Sequence, residues 1–418
     1  MNARILAFLF VCLAMPSLAS APAQAEWGFF GHRMLNRMAV FTLPPELIVF
    51  FKKHIEWITE HAVDPDKRRY ATRFEAIRHY IDIDHWGEYP FPNVPREWPD
   101  ALGRYLEVYA LKENGDTLRL WHYEDAEWGP DSLLWAGSGE MIQAKPYGTS
   151  KKDLRVLVQN LILPQYYEEE WVIQPDTFST LLGLDLPGDI LMIRAVDHFS
   201  EYGIVPYFLP QMQNRLTAAF REGQLDRILR LSAEIGHYIG DASVPLHTTE
   251  NYNGQLTNQI GIHAFWESRI PELFAENEFN SYVGKAAYIE NPKDYFWDIV
   301  LTSHSYVDSV LAIEKRLSQT FPSDQQFCYD QRLGQTVRIQ CQEYAAAYRE
   351  AMGGMVESRW RATIKSIGSS WYTAWIDAGQ PDLLKITQEK IPEREKELEE
   401  ELDAAYRTGL PKGRKHEN

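Results

Sequence analysis

The segment from Ile235 to Ile270, IGHYIGDASVPLHTTENYNGQLTNQIGIHAFWESRI, constrains the fold more than any other part of the chain. His237 and Asp241 are four positions apart, and so are His263 and Glu267. On an α-helix, residues at that spacing lie on one face, one turn above the other. Each pair can therefore aim two donor atoms at a single point. Pro245 cannot continue a helix, so His247 is expected where the first helix gives way to a loop. Asn251, Asn253 and Gly254 are turn residues in that loop. The layout is a helix with two donors, a loop with a third and a helix with two more. A lone His–x–x–x–Asp pair is ordinarily a surface feature; two pairs about a fifth donor point to a metal site. Imidazole nitrogen and carboxylate oxygen suit Zn2+.

Composition bounds the rest. The chain has 418 residues, 45% hydrophobic and 13% aromatic, so a sizeable core can form and disorder throughout is excluded. A formal charge of −17 argues against duplex DNA recognition, which relies on Lys and Arg. It leaves open a phosphate-bearing substrate whose charge is met by metal ions. Residues 1–25 read as an export signal: Arg4, an apolar run from Ile5 to Met15 too short to span a bilayer, and Ala23-Gln24-Ala25 as a cleavage site. No later segment reads as transmembrane. The expectation is a secreted or periplasmic monomer. Cys328 and Cys341 flank Leu333-Gly334, and an exported chain can keep a disulfide across such a hairpin.

Periodicity predicts a mainly α-helical domain over 26–385, with the metals between helices. Helical runs are expected at 46–60, at 206–241 with a break at Gly223, at 292–318 and at 345–378. Residues 86–207 read as an insertion of short helices, at 101–111 and 150–163, in otherwise irregular chain. The charged tail, 386–418, reads as a solvated helix followed by a basic end. Strand-like alternation is scarce, and the cysteine hairpin is the expected β element. His54, His61, His122 and His198 stand alone in sequence and are read as packing or surface residues. A Gly-rich phosphate loop and a nucleophile elbow are both absent from the sequence.

Ordered motifs then carry a resemblance: WGFFGH at 27–32, AVD at 62–64, HYID at 79–82, GHYIGDASVPLH at 236–247, HAFWES at 263–268 and ESRWRATIKSIGSSWYTAWIDAG at 357–379. Together they resemble the zinc-dependent phospholipase C and single-strand-specific zinc nuclease superfamily, over most of the chain except the insertion and the tail. The resemblance implies three zinc ions. One is held by Asp64, His79, His237 and Asp241, a second by His247, His263 and Glu267, and a third by Trp27 through backbone atoms with His32 and Asp241. Asp241 then bridges two ions, and Asp64 and Asp241 are the implied catalytic residues of a phosphodiester hydrolysis by metal-activated water. Tyr80 and Asp82 are implied walls of the substrate pocket. Lys67 and Arg68, just beyond Asp64, are candidates to meet a phosphate oxygen.

The family pattern is departed from in two places. The cleavage site leaves Glu26, not Trp27, in first place, and a long insertion separates His79 from His237. The close spacing of Trp27 and His32 is similar to the nucleases. Glu267 and the short interval from His247 to His263 are similar to the phospholipases. Pro65 leaves no aromatic directly after Asp64 to help cage a choline. The reading is a zinc phosphodiesterase of phospholipase C type acting on a phospholipid. The alternative is a nuclease or 3′-nucleotidase acting on single-stranded nucleic acid, and a third is a catalytically dead zinc-binding surface protein.

Overall fold

Gly223 divides the clearest helical run in the sequence, and the chain turns there. Its φ of 66° is the left-handed conformation that glycine adopts without strain, and its N–H closes the end of the preceding helix. The structure, a computed structural model, describes residues 27–129, 131–135, 147–332, 335–386, 393–408 and 412. The expected export signal at 1–25 lies outside the described residues.

The molecule is mainly α-helical. Five helices frame it: α1 (Trp27–Ala39), α2 (Val205–Glu222), α3 (Leu225–Ala242), α4 (Pro292–His304) and α5 (Met355–Asp377). From Leu231 to Ala242 every residue of α3 is buried, the signature of a helix at the centre of its fold. Helices α1, α2, α4 and α5 all pack against it. Glycines set how closely α1 approaches: a Cβ on Gly236 would stand 1.9 Å from Asn36 Oδ1, and one on Gly240 would stand 2.9 Å from His32 Nδ1. Trp371 of α5 is fully buried and donates Nε1–H to Ser232 O of α3 at 3.0 Å. The predicted run at 345–378 is two helices, Gln342–Ala351 and α5, separated where Gly353 and Gly354 both take positive φ.

The insertion differs from its sequence reading. It carries an antiparallel sheet of β1 (Leu106–Lys112), β2 (Thr117–Trp121), β3 (Trp171–Ile173) and β4 (Ile190–Asp197), in the order β2-β1-β4-β3. The helix expected at 101–111 is confined to Trp98–Arg104, after which β1 begins. The reason is the alternation of Leu106, Val108 and Ala110, which fill one sheet face. Helices Lys151–Leu157 and Pro175–Leu182 supply Leu154, Leu157 and Phe178 to the same core, which is distinct from that of the helical body. Ile77 and Trp98 pack against both cores. The cysteine hairpin is present, Phe327–Arg332 paired with Gln335–Gln340 and closed by a Cys328–Cys341 disulfide.

The tail helix spans Glu393–Thr408, but it is not wholly solvated. Leu402 is buried, Asp403 pairs with Lys67 at 2.8 Å, and the Tyr406 ring meets Phe29 and Tyr70. Leu402 and Tyr406 are four apart, so the helix has an apolar seam within its charge. Among the described residues no helix is long and apolar enough to cross a membrane.

Candidate metal centre

Helix α3 carries His237 and Asp241 one turn apart, and α1 brings His32 against them through the gap at Gly240. His79 follows the short helix Arg73–Ala76. Pro245 opens a single 3-10 turn, Pro245–Thr248, that carries His247. His263 lies on Ile262–Ala264, which runs into a wider π turn at Phe265–Arg269 carrying Glu267. Such turns are frequent at functional sites. Asn253 shapes the loop by accepting the Gly261 N–H at 3.0 Å.

The side chains converge. Asp241 Oδ2 is 2.9 Å from His79 Nδ1 and 3.2 Å from His237 Nε2. Its Oδ1 is 3.3 Å from His32 Nε2 and 3.8 Å from His247 Nε2. The carboxylate thus straddles two groups of imidazoles, one oxygen toward each. Glu267 Oε2 is 2.7 Å from His263 Nε2 and 3.2 Å from His247 Nε2.

Backbone contacts fix the ring tautomers. His237 donates Nδ1–H to Ala62 O at 2.9 Å, His247 to His79 O at 2.7 Å and His263 to Tyr252 O at 3.1 Å. A carbonyl only accepts, so in each neutral ring Nε2 is a lone pair. All three face carboxylate oxygens in a buried site, so a cation belongs between them, either a proton on the ring or a metal ion in its place. His32 Nδ1 is also buried and has no hydrogen-bond partner. At His237 that cation is a proton when no metal is bound. Burial drives the His237 pKa down, but the Asp241 and Asp66 carboxylates outweigh it and hold it up at about 9. Burial opposes ionisation of Asp241 and Glu267, yet His237 and His247 beside the one, and His247 and His263 beside the other, hold both well below the usual carboxylate range. The donor chemistry fits zinc.

Three sets of donors lie with their atoms within 4.8 Å of one another: His247, His263 and Glu267; His32, His237 and Asp241; and Asp66, His79 and His237. The first is the set expected from the sequence. The last contains Asp66 where Asp64 was expected. Asp64 instead receives the His61 ring at 2.6 Å and faces Lys67 at 3.3 Å, while Asp66 stands 3.8 Å from both His79 Nδ1 and His237 Nε2. Residues 64 and 66 point to different sides of the short helix Asp64–Arg68, and His61, read as a packing residue, holds Asp64 away. Trp27 opens α1, but its side chain lies outside the described residues.

Arg68 has another task than the phosphate contact expected of it. It meets Glu75 at 3.2 Å, Glu234 at 2.6 Å and the Tyr238 hydroxyl at 3.2 Å. Fully buried Glu75 also takes Arg78 at 2.7 Å and lies 3.6 Å from His79 Nε2. Glu75, which sequence reasoning passed over, stands behind His79 as the carboxylate that orients a ligand ring. Lys67 is engaged by Asp64 and Asp403. Tyr80 and Asp82 do line a cavity, about 720 Å3 in volume, between the helical body and the insertion. Compared with protein-family models, with curated proteins and with solved structures, the chain matches none.

Proposed function

We propose that this chain is an exported zinc-dependent phosphodiesterase of phospholipase C type. The observation that carries the reading is Asp241, whose two oxygens face His79 and His237 on one side and His32 and His247 on the other. That is the disposition of a carboxylate shared between two closely spaced ions. Zinc bound there supplies an acidified water and positive charge for phosphate oxygens. The chain's own residues hold and orient. His237, His247 and His263 are locked by backbone carbonyls, His79 is backed by Glu75, and the apolar surround excludes bulk water.

Tyr80, the residue after His79, lines the cavity between the helical body and the insertion; none of the metal donors lines it, but its walls favour a cationic headgroup. Phe74, Tyr80, Tyr166, Trp171 and Tyr202 supply aromatic surface, and Asp82, Glu168, Glu169, Glu170, Asp197 and Glu201 outnumber Arg73 and Arg194. Aromatic rings with a carboxylate excess attract a quaternary ammonium and repel a polyanionic strand. The alternative, a nuclease for single-stranded nucleic acid, uses the same ions but finds few cations in this cavity.

The test compares a chromogenic phosphocholine ester and phosphatidylcholine vesicles with a single-stranded oligonucleotide, using zinc-loaded protein. Hydrolysis of the choline esters is expected, falling by about 100-fold or more in Asp241→Asn. Cleavage of the oligonucleotide alone transfers the assignment to the nuclease. Failure on all three by a zinc-loaded, folded protein overturns catalysis and leaves a zinc-binding protein.

A further inference from the structure

Away from this centre, three more donors of metal-binding type meet in the insertion: Glu107, His122 and His198, with donor atoms within 4.8 Å of one another. The sheet assembles them. Glu107 lies on β1, His122 follows the last residue of β2, and His198 follows the last residue of β4. Strand β1 lies between β2 and β4, pairing Val108 with Trp121 and Glu107 with Val196, so all three residues stand at one end of the sheet. His198 N–H donates to Tyr105 O at 3.2 Å, which fixes the backbone just beyond β4.

The side chains are nearly in place. His198 Nε2 is 3.0 Å from Glu107 Oε2, and the His122 and His198 ring centres are 5.4 Å apart. Neighbouring ligands on a tetrahedral zinc, with bonds of about 2.0–2.1 Å, are about 3.4 Å apart. Side-chain torsions alone can close the set. His122 caps the turn after β2, and its ring still lies beside the His198–Glu107 ion pair. Glu107 is buried, while His198 remains partly open to solvent and gives an ion a way in. His122 Nδ1 accepts the Glu124 N–H at 3.2 Å in that cap; coordination through Nε2 shifts the ring proton to Nδ1 and gives up the cap, with Glu124 Oε2, 3.7 Å from Nδ1, placed to take it.

We propose that Glu107, His122 and His198 bind one divalent ion of zinc type, with water completing its coordination, and that this ion clamps the sheet end to the cavity wall. The chain leaving His198 runs through Phe199 to Tyr202, and Tyr202 O accepts the Asp82 N–H at 2.7 Å. At Gly203, whose φ is 90°, the backbone passes so close to Tyr80 that a Cβ would stand 2.1 Å from Tyr80 O. Fixing His198 therefore fixes the segment against which Tyr80 and Asp82 are seated. The site stands independently of the function proposed above.

The experiment is zinc stoichiometry of the full chain, by equilibrium dialysis with elemental analysis, for the parent, for His122→Ala, for Glu107→Gln and for the His122→Ala/His198→Ala pair. His85→Ala, which removes a partly exposed ring that pairs with Glu250 at 2.8 Å and stacks on Tyr202 but belongs to none of the donor sets, is the control. The double variant is expected to bind one zinc fewer than parent and control. Each single variant is expected to weaken that equivalent by ~10-fold or more, and added zinc should raise the parent's melting temperature more than the double variant's. Equal stoichiometry in the parent and in folded single and double variants overturns the proposal.

Discussion

Replacing Gly236 by Ala tests how α1 is held against α3. In an exposed helix the change stabilises, by about 1 kcal/mol. Here the new Cβ would lie 1.9 Å from Asn36 Oδ1, 2.8 Å from its Cγ and 3.1 Å from its Nδ2. Asn36 is fully buried and donates Nδ2–H to Ala233 O at 2.9 Å. The amide retreats by giving up that bond, at about 1–3 kcal/mol, and the new methyl still presses α1 outward, an overpacking cost of about 1–3 kcal/mol. Set against the helix gain, the net loss is about 3 kcal/mol. For a chain of this size that is a fall in melting temperature of about 3 °C. Thermal unfolding of the zinc-loaded protein by far-UV circular dichroism measures it. A melting temperature equal to or above the parent's would refute the close approach at Gly236. The neighbouring Gly240→Ala, whose contact is 2.9 Å to the edge of the His32 ring, should cost less stability and weaken zinc at His32.

Three further outcomes are expected. Arg68→Ala leaves Glu75 and Glu234 without their shared cation and should destabilise by about 3–5 kcal/mol; a variant of parental stability with a raised KM would return Arg68 to substrate binding. In zinc-free protein, the His237–Asp241 pairing contributes stability that is complete below about 6.5 and is lost as pH rises through about 9. Zinc has to displace that proton, so uptake by stripped protein should release more protons at pH 7 than at pH 10, and equal release in calorimetry across buffers would contradict the His237 assignment. Replacing Cys328 and Cys341 by Ser removes a local constraint of about 3 kcal/mol; proteolysis within the hairpin should quicken with zinc content unchanged, and a loss of zinc would show that the hairpin supports the centre.

How much was legible depends on range. His237 with Asp241, and His263 with Glu267, could be read because a helix turns spacing into direction. His32 and His79 needed the resemblance, since nothing local links them to α3. The choice between Asp64 and Asp66 was beyond the sequence: both flank Pro65, and the decision falls to His61, which takes Asp64. Glu75 was hidden because a carboxylate near two arginines reads as surface charge until burial is known. The sheet in the insertion was legible in part, for Leu106, Val108 and Ala110 alternate, but that run was read as helix. The Glu107–His122–His198 cluster was not legible. Its members are single residues, His198 and Glu107 being 91 positions apart, and only strand pairing brings them together.

Asp241 is proposed to lie between two ions. That placement is tested most directly by the zinc content of the His122→Ala/His198→Ala chain, from which the insertion site has been removed, after dialysis against metal-free buffer. About three zinc ions per chain are expected, with a loss of at least one when Asp241→Asn is added. One zinc or none in a folded protein would contradict the placement.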